Sequence, residues 1–170
     1  ASGFTFESLG VRGEALETLH SVMQEKEGLV LVSGPAQSGK TTFLYTALDI
    51  LQGNHLNIHT VEDHVEFAVP GVNQTQIAPE KGLTFARALR AASKQDTDVL
   101  MVSDVEDSET ANIAITSGLR GELVLAGMKA SSASQAIHKL STLGDPELLS
   151  SALVASVSMR LVKKLGPAKE

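Results

Sequence analysis

No cysteine occurs among the 170 residues, which excludes a disulfide framework, a thiolate nucleophile and any Cys-based zinc or iron–sulfur site. Tryptophan is missing too, and aromatic residues amount to only 4%, leaving few platforms on which single-stranded bases could stack. Cations are in the minority. Fourteen Lys and Arg stand against twenty Asp and Glu, a formal net charge of -6, so duplex nucleic acid, whose backbone demands clustered cations, is disfavoured as a ligand. A local phosphate site is still allowed, because backbone N–H groups can build one without net positive charge. No run approaches the roughly 20 apolar residues that span a bilayer. The start shows no basic segment followed by an apolar stretch, so no secretory signal is expected there, and a chain that begins at Ala1 instead of Met reads as an excised piece of something longer.

What is present fits one soluble globular domain, with 42% hydrophobic and 20% charged residues. Leu29-Val30-Leu31-Val32, Val99-Leu100-Met101-Val102 and Leu123-Val124-Leu125-Ala126 are apolar without alternation, the pattern of strands covered on both faces. Asn57 to Val61 is a weaker member of the set. Amphipathic stretches lie between and around them at Gly13 to Glu27, Lys40 to Leu51, Leu83 to Lys94 and Ser108 to Ser117. The order predicts an α/β domain with a mostly parallel sheet flanked by helices. Between Phe67 and Pro79 the turn signal Pro70-Gly71 and four polar residues from Asn73 to Gln76 predict an excursion or short hairpin outside the central sheet. Two helices are expected at Ser132 to Thr142 and Pro146 to Ala155, the second opened by Asp145 as N-cap. A last strand is expected from Val157 to Leu165. Residues 1–165 then form one domain and 166–170 a tail.

The sharpest signal is Gly34-Pro35-Ala36-Gln37-Ser38-Gly39-Lys40-Thr41, which matches G-x-x-x-x-G-K-[ST] between an apolar strand and a helical pattern. A loop wrapping phosphates at a helix N-terminus needs that context. Gly34 and Gly39 let the backbone curl, Lys40 is expected to reach the β and γ phosphates, Thr41 to ligate Mg²⁺, and Thr42 to complete the cradle. Ser93-Lys94-Gln95-Asp96 faintly resembles a guanine-reading x-K-x-D signature, but it precedes a strand instead of following one and reads as a helix end.

Asp104 follows the buried run Val99 to Val102, which puts a carboxylate at the strand mouth where open α/β sheets bind ligands and where a phosphate loop needs an acid for Mg²⁺. The alternative is a loop Asp capping the next helix, for which Asp107 or Ser108 is better placed. Glu62-Asp63, with Glu66 close behind, could orient or deprotonate an attacking water, or could form a solvated acidic turn. His55, His59 and His64 lack the spacing of a metal-binding helix face.

In order, these blocks resemble the motor ATPases of type II secretion and of type IV pilus assembly and retraction. The resemblance runs through Gly34-Pro35 to Lys40-Thr41-Thr42, Thr60-Val61-Glu62-Asp63-His64-Val65-Glu66-Phe67, Leu83-Thr84-Phe85-Ala86, Leu89-Arg90, Gln95 to Val99, Asp107 with Glu109-Thr110-Ala111, and Arg160-Leu161-Val162. It covers nearly the whole chain, from about Leu9 to Leu165. It implies a RecA-like P-loop core that works in a hexameric ring, or with a cognate motor, and uses ATP and Mg²⁺ to move pilins or pseudopilins. The implied location is the cytoplasm, peripheral at an inner-membrane platform.

By the same resemblance Glu62 falls in the acidic box that positions water and Asp104 takes the Walker B position. The likeness breaks at the chemistry. Asp104 stands where the family typically has Glu, a loss of roughly 1.5 Å of reach, large on the scale that positioning tolerates. Glu106 stands where the family has Arg, Met159 where Gln precedes the Arg, and Gln37 where the loop usually has Gly. Glu122 and Lys129 occupy two histidine positions, and Lys129 remains able to donate to a γ-phosphate. The residues before Gly13 leave no room for the family's arginine-donating N-terminal domain, and a cysteine-free chain cannot build the four-Cys zinc module of some members. The expectation is a nucleotide-binding motor core with weak or no hydrolysis. A regulatory subunit without turnover is the alternative; a small-molecule P-loop kinase is disfavoured by the lack of an arginine-rich lid.

Overall fold

The computed structural model describes residues 3–163. Its six strands are β1 (Gly28–Ser33), β2 (Ile58–Glu62), β3 (Val72–Gln76), β4 (Val99–Val102), β5 (Leu123–Met128) and β6 (Leu153–Ser158). They form one sheet in the order β3-β2-β4-β5-β1-β6, with every pairing parallel. The helices are α1 (Gly13–Val22), α2 (Lys40–Gln52), α3 (Phe85–Ala92), α4 (Ser108–Leu119), α5 (Ala133–Leu143) and α6 (Pro146–Ala152), with a 3₁₀ turn at Pro79–Lys81.

Strand periodicity explains the unbroken apolar runs. Leu29 and Leu31 of β1 join Leu100, Val124 and Ala126 in a core covered by α3, α4, α5 and α6. Val30 and Val32 point the other way, onto a core with Met101, Leu125 and the apolar residues of α1 and α2. Since both faces are covered, alternation disappears from the sequence. Asp145 caps α6 by accepting from the N–H groups of Glu147 (2.9 Å) and Leu148 (3.1 Å), and Asp107 caps α4 by accepting from Thr110 N (2.8 Å).

Three expectations need correction. The polar stretch after Pro70-Gly71 is no excursion: β3 is the sheet's edge, registered with β2 from Ile58↔Val72 to Glu62↔Gln76. It is polar because an edge strand has one unpaired side and its glutamines bond a neighbouring loop. The helix expected to reach Ala155 stops at Ala152, and the last strand starts at Leu153, four residues before the expected Val157. Leu153, Ala155 and Val157 are needed there to pair with Leu29, Val30 and Val32 of β1. Arg160 has already left the strand, donating to Ser131 O at 3.0 Å. The end of that expected strand and the tail at 166–170 lie outside the described residues.

Candidate functional site

The phosphate loop leaves β1, an interior strand between β5 and β6, and enters α2. Gly34 N donates to Met128 O (3.2 Å) and Met159 N to Ser33 O (2.7 Å), so the neighbouring strands anchor the loop's start. A Cβ on Gly34 would lie 2.1 Å from Ser38 Oγ and 2.8 Å from Met159 O, so only glycine allows this curl. Gly39 precedes α2 at φ +90 with no side-chain cap, which leaves first-turn N–H groups of the helix facing the loop's concavity. Gln37 sits at φ 59, a left-handed conformation that costs a side-chain-bearing residue about 1 kcal/mol.

A cavity of about 470 Å³ opens over this loop, lined by residues 35–42 together with Asp63, Ser103, Asp104, Lys129 and Leu161. Asp104 is only 6% exposed. Its Oδ1 makes no hydrogen bond among the described residues; Lys40 Nζ lies 3.7 Å from it and Lys129 Nζ 3.5 Å from Oδ2. Lys129 also reaches Glu106 Oε1 at 3.6 Å. Burial pushes the Asp104 carboxyl up, Lys40 and Lys129 pull it back, and Glu106 adds to the rise. Asp104 in turn keeps Lys129 firmly protonated, with Glu106 adding to the effect. Ser38 Oγ is a second buried polar atom without a hydrogen bond among the described residues. A cradle that a Cβ would fill, two lysines and a buried carboxylate oxygen lacking a hydrogen bond fit a polyphosphate with a divalent cation.

The expected site residues divide clearly. The loop, Lys40, Thr41, Thr42, Asp104 and Lys129 come together on the cavity. Glu62 is not among its lining residues: it is 1% exposed, and its carboxylate accepts from Tyr45 OH, Thr60 Oγ1 (2.5 Å) and Gln74 Nε2 (3.3 Å). Its neighbour Asp63 lines the cavity, held by Ser103, whose Oγ donates to Asp63 Oδ1 (3.0 Å) and accepts from Asp63 N (3.1 Å). Glu66 lines an adjoining cavity of about 360 Å³ that shares Thr41 and Thr42. Glu122 and Lys129 flank the six residues of β5, roughly 20 Å apart along the strand, so they do not share a site.

Ser103 and Gly127 carry no sequence signal of their own, and Leu161 carries none beyond the block it shares with Arg160 and Val162. A Cβ on Gly127 would lie 2.0 Å from Ser103 O, and Val105 N donates to Gly127 O at 2.8 Å. The bare glycine therefore lets the Ser103–Val105 turn close over β5 and aim Asp104 at the loop. Only strand register reveals that role.

Fold and site together define a RecA-like P-loop protein with an all-parallel sheet. A family model described as "Type II/IV secretion system protein" matches residues 1–170, and the chain belongs to that family. It is 43% identical over 161 residues to the type II secretion system protein E of Klebsiella pneumoniae, covering 94% of this chain and 32% of that protein. It is 42% identical to the type IV pilus assembly ATPase PilB of Thermus thermophilus, covering 94% of this chain and 18% of the other. The chain thus spans a third or less of these two curated relatives. Among solved structures, the pilus retraction motor PilT with bound ADP superposes with a TM-score of 0.78 at 31% identity, covering 88% of this chain and 46% of that one. The Legionella pneumophila ATPase DotB gives 0.74 at 20% identity, covering 88% and 44%, and shares the fold.

Proposed function

We propose that residues 1–165 form the ATP-binding core of a secretion or pilus motor ATPase. The observation that carries this reading is the convergence of Lys40 and Lys129 on buried Asp104 at the mouth of a glycine-framed loop. The N–H groups of the loop and Lys40 would hold the phosphates, Lys129 would donate to the terminal phosphate, and Asp104 with Thr41 would hold Mg²⁺. When bound there, Mg²⁺ would supply neutralisation of phosphate charge. Of the acidic segment, Asp63 lines this cavity and Glu66 the adjoining one, and orienting the attacking water falls to the segment that Glu62 anchors. The chain works in an oligomer, a hexameric ring or an assembly with a cognate motor, in the cytoplasm against inner-membrane platform proteins. Two relatives are named for type II secretion and for type IV pilus assembly.

Titration with ATP, with and without Mg²⁺, tests the reading. Lys40→Ala is expected to abolish Mg²⁺-ATP binding, and wild-type affinity in that variant refutes the assignment. The strained Gln37 and the short Asp104 favour a second reading, a regulatory subunit that binds without turnover. Steady-state phosphate release from the assembled protein separates the two.

A further inference from the structure

The acidic segment after β2 is held by side chains from two other elements. Tyr45, on α2, is 2% exposed; its hydroxyl donates to Glu62 Oε1 and accepts from Glu66 N (3.2 Å) and Gln74 Nε2 (3.3 Å). Gln74 on β3 accepts from Val69 N (2.7 Å) through Oε1 and donates to Phe67 O (3.1 Å) through Nε2. Gln76, two residues along the same edge strand, accepts from Val65 N at 2.9 Å. Three N–H groups of an irregular loop, at 65, 66 and 69, thus bond Gln76, Tyr45 and Gln74 instead of backbone carbonyls. Burial and the Glu62 carboxylate push the Tyr45 phenol well above its ordinary range, so it remains a donor at every physiological pH.

Tyr45 also stands three and four residues beyond Thr42 and Thr41, so the three share a helix face one turn apart. Thr41, Thr42, Tyr45, Glu66 and Phe67 meet around the adjoining cavity, where the Tyr45 and Phe67 rings lie 4.7 Å apart. We infer that Tyr45 is a positioning residue, its hydroxyl tying the loop that carries Asp63 and Glu66 to the helix that carries Lys40, Thr41 and Thr42. The inference rests on the proposed nucleotide-hydrolysing reading for its purpose, though not for its geometry. Gln74 and Gln76 complete the strut, which accounts for the polarity of β3. A ligand that seats against Thr41 and Thr42 then meets carboxylates already fixed relative to that helix, and the rate of the chemical step depends on that fixing more than affinity does.

Tyr45→Phe keeps the ring against Phe67 and deletes only the hydroxyl. Amide exchange of residues 63–71, Mg²⁺-ATP affinity and single-turnover hydrolysis are measured on the same full chain. Expected are faster loop exchange by tenfold or more, affinity within about twofold of wild type and a rate constant lower by about tenfold. Unchanged exchange overturns the inference, and so does an affinity loss that accounts for the whole change in rate, because a packing role of the ring would spare the first and a damaged phosphate site would give the second. If Tyr45→Phe fails to fold, Gln74→Met on the half-buried edge is expected to speed loop exchange in the same way, and normal exchange in that variant overturns the strut. A wild-type protein that binds ATP without turnover refutes the hydrolytic reading alone, since loop exchange still reports on Tyr45.

Discussion

Lys129 Nζ lies 3.5 Å from Asp104 Oδ2, on the far side of that carboxylate from Lys40, which faces Oδ1. A buried acid held between two cations has its charge compensated without a ligand, and a divalent cation would replace the lysines at the carboxylate while the lysines turn to the phosphates.

Lys129 is exposed, so its worth is a matter of positioning at the phosphate and is weakened by salt. Lys129→Ala is expected to lower Mg²⁺-ATP affinity by about three- to tenfold, and the wild-type advantage is expected to shrink as ionic strength rises. Isothermal titration at two salt concentrations checks both. Equal affinity of the two proteins at low salt would remove Lys129 from the phosphate site.

Gln37 holds a left-handed backbone inside the loop. Gln37→Gly removes that cost while adding freedom to the unfolded chain, so it is expected to stabilise the protein by at most about 1 kcal/mol. Urea denaturation measures the stability, and a parallel ATP titration is expected to show affinity equal to or above that of wild type.

Gly127 lies against Ser103 O. Gly127→Ala must push the end of β4 away from β5, with an expected loss of about 2–4 kcal/mol and a displaced Asp104. Thermal unfolding reads the first effect. Weakened Mg²⁺ dependence of ATP binding reads the second.

Glu122 sits at the opposite end of the sheet, with Oε2 buried and unbonded among the described residues. Burial pushes its carboxyl up to about 7 from 4.5, and Arg120 offsets the rise only in part. The folded state therefore holds the proton more tightly than the unfolded chain. Stability from this group is greatest below about pH 4.5 and declines as pH rises to about 7. Glu122→Gln is expected to stabilise by about 1 kcal/mol at pH 8, after allowance for solvent screening, and by less at pH 5. Melting curves at the two pH values check the difference; an equal effect at both would contradict it.

Local sequence by itself determined the glycine-framed loop, the strands β1, β4 and β5, the cap Asp145, a cap at Asp107 or Ser108, and the placement of Asp104 just beyond β4. Each is written in contiguous residues whose chemistry is local: a glycine frame before Lys40-Thr41, apolar runs of strand length, a side-chain oxygen ahead of a helix. What only the tertiary structure decided depends on register between strands far apart in the chain. Parallel pairing turned the polar Val72–Gln76 into an edge strand and moved the last strand back to Leu153. It buried Glu62 under Tyr45 and Gln74 while presenting Asp63 one residue later, because successive residues of a strand face opposite sides and the last one inside a sheet differs from the first one beyond it. Gly127 and Ser103 acquired their roles in the same way, from a close approach between β4 and β5 that no spacing along the chain records.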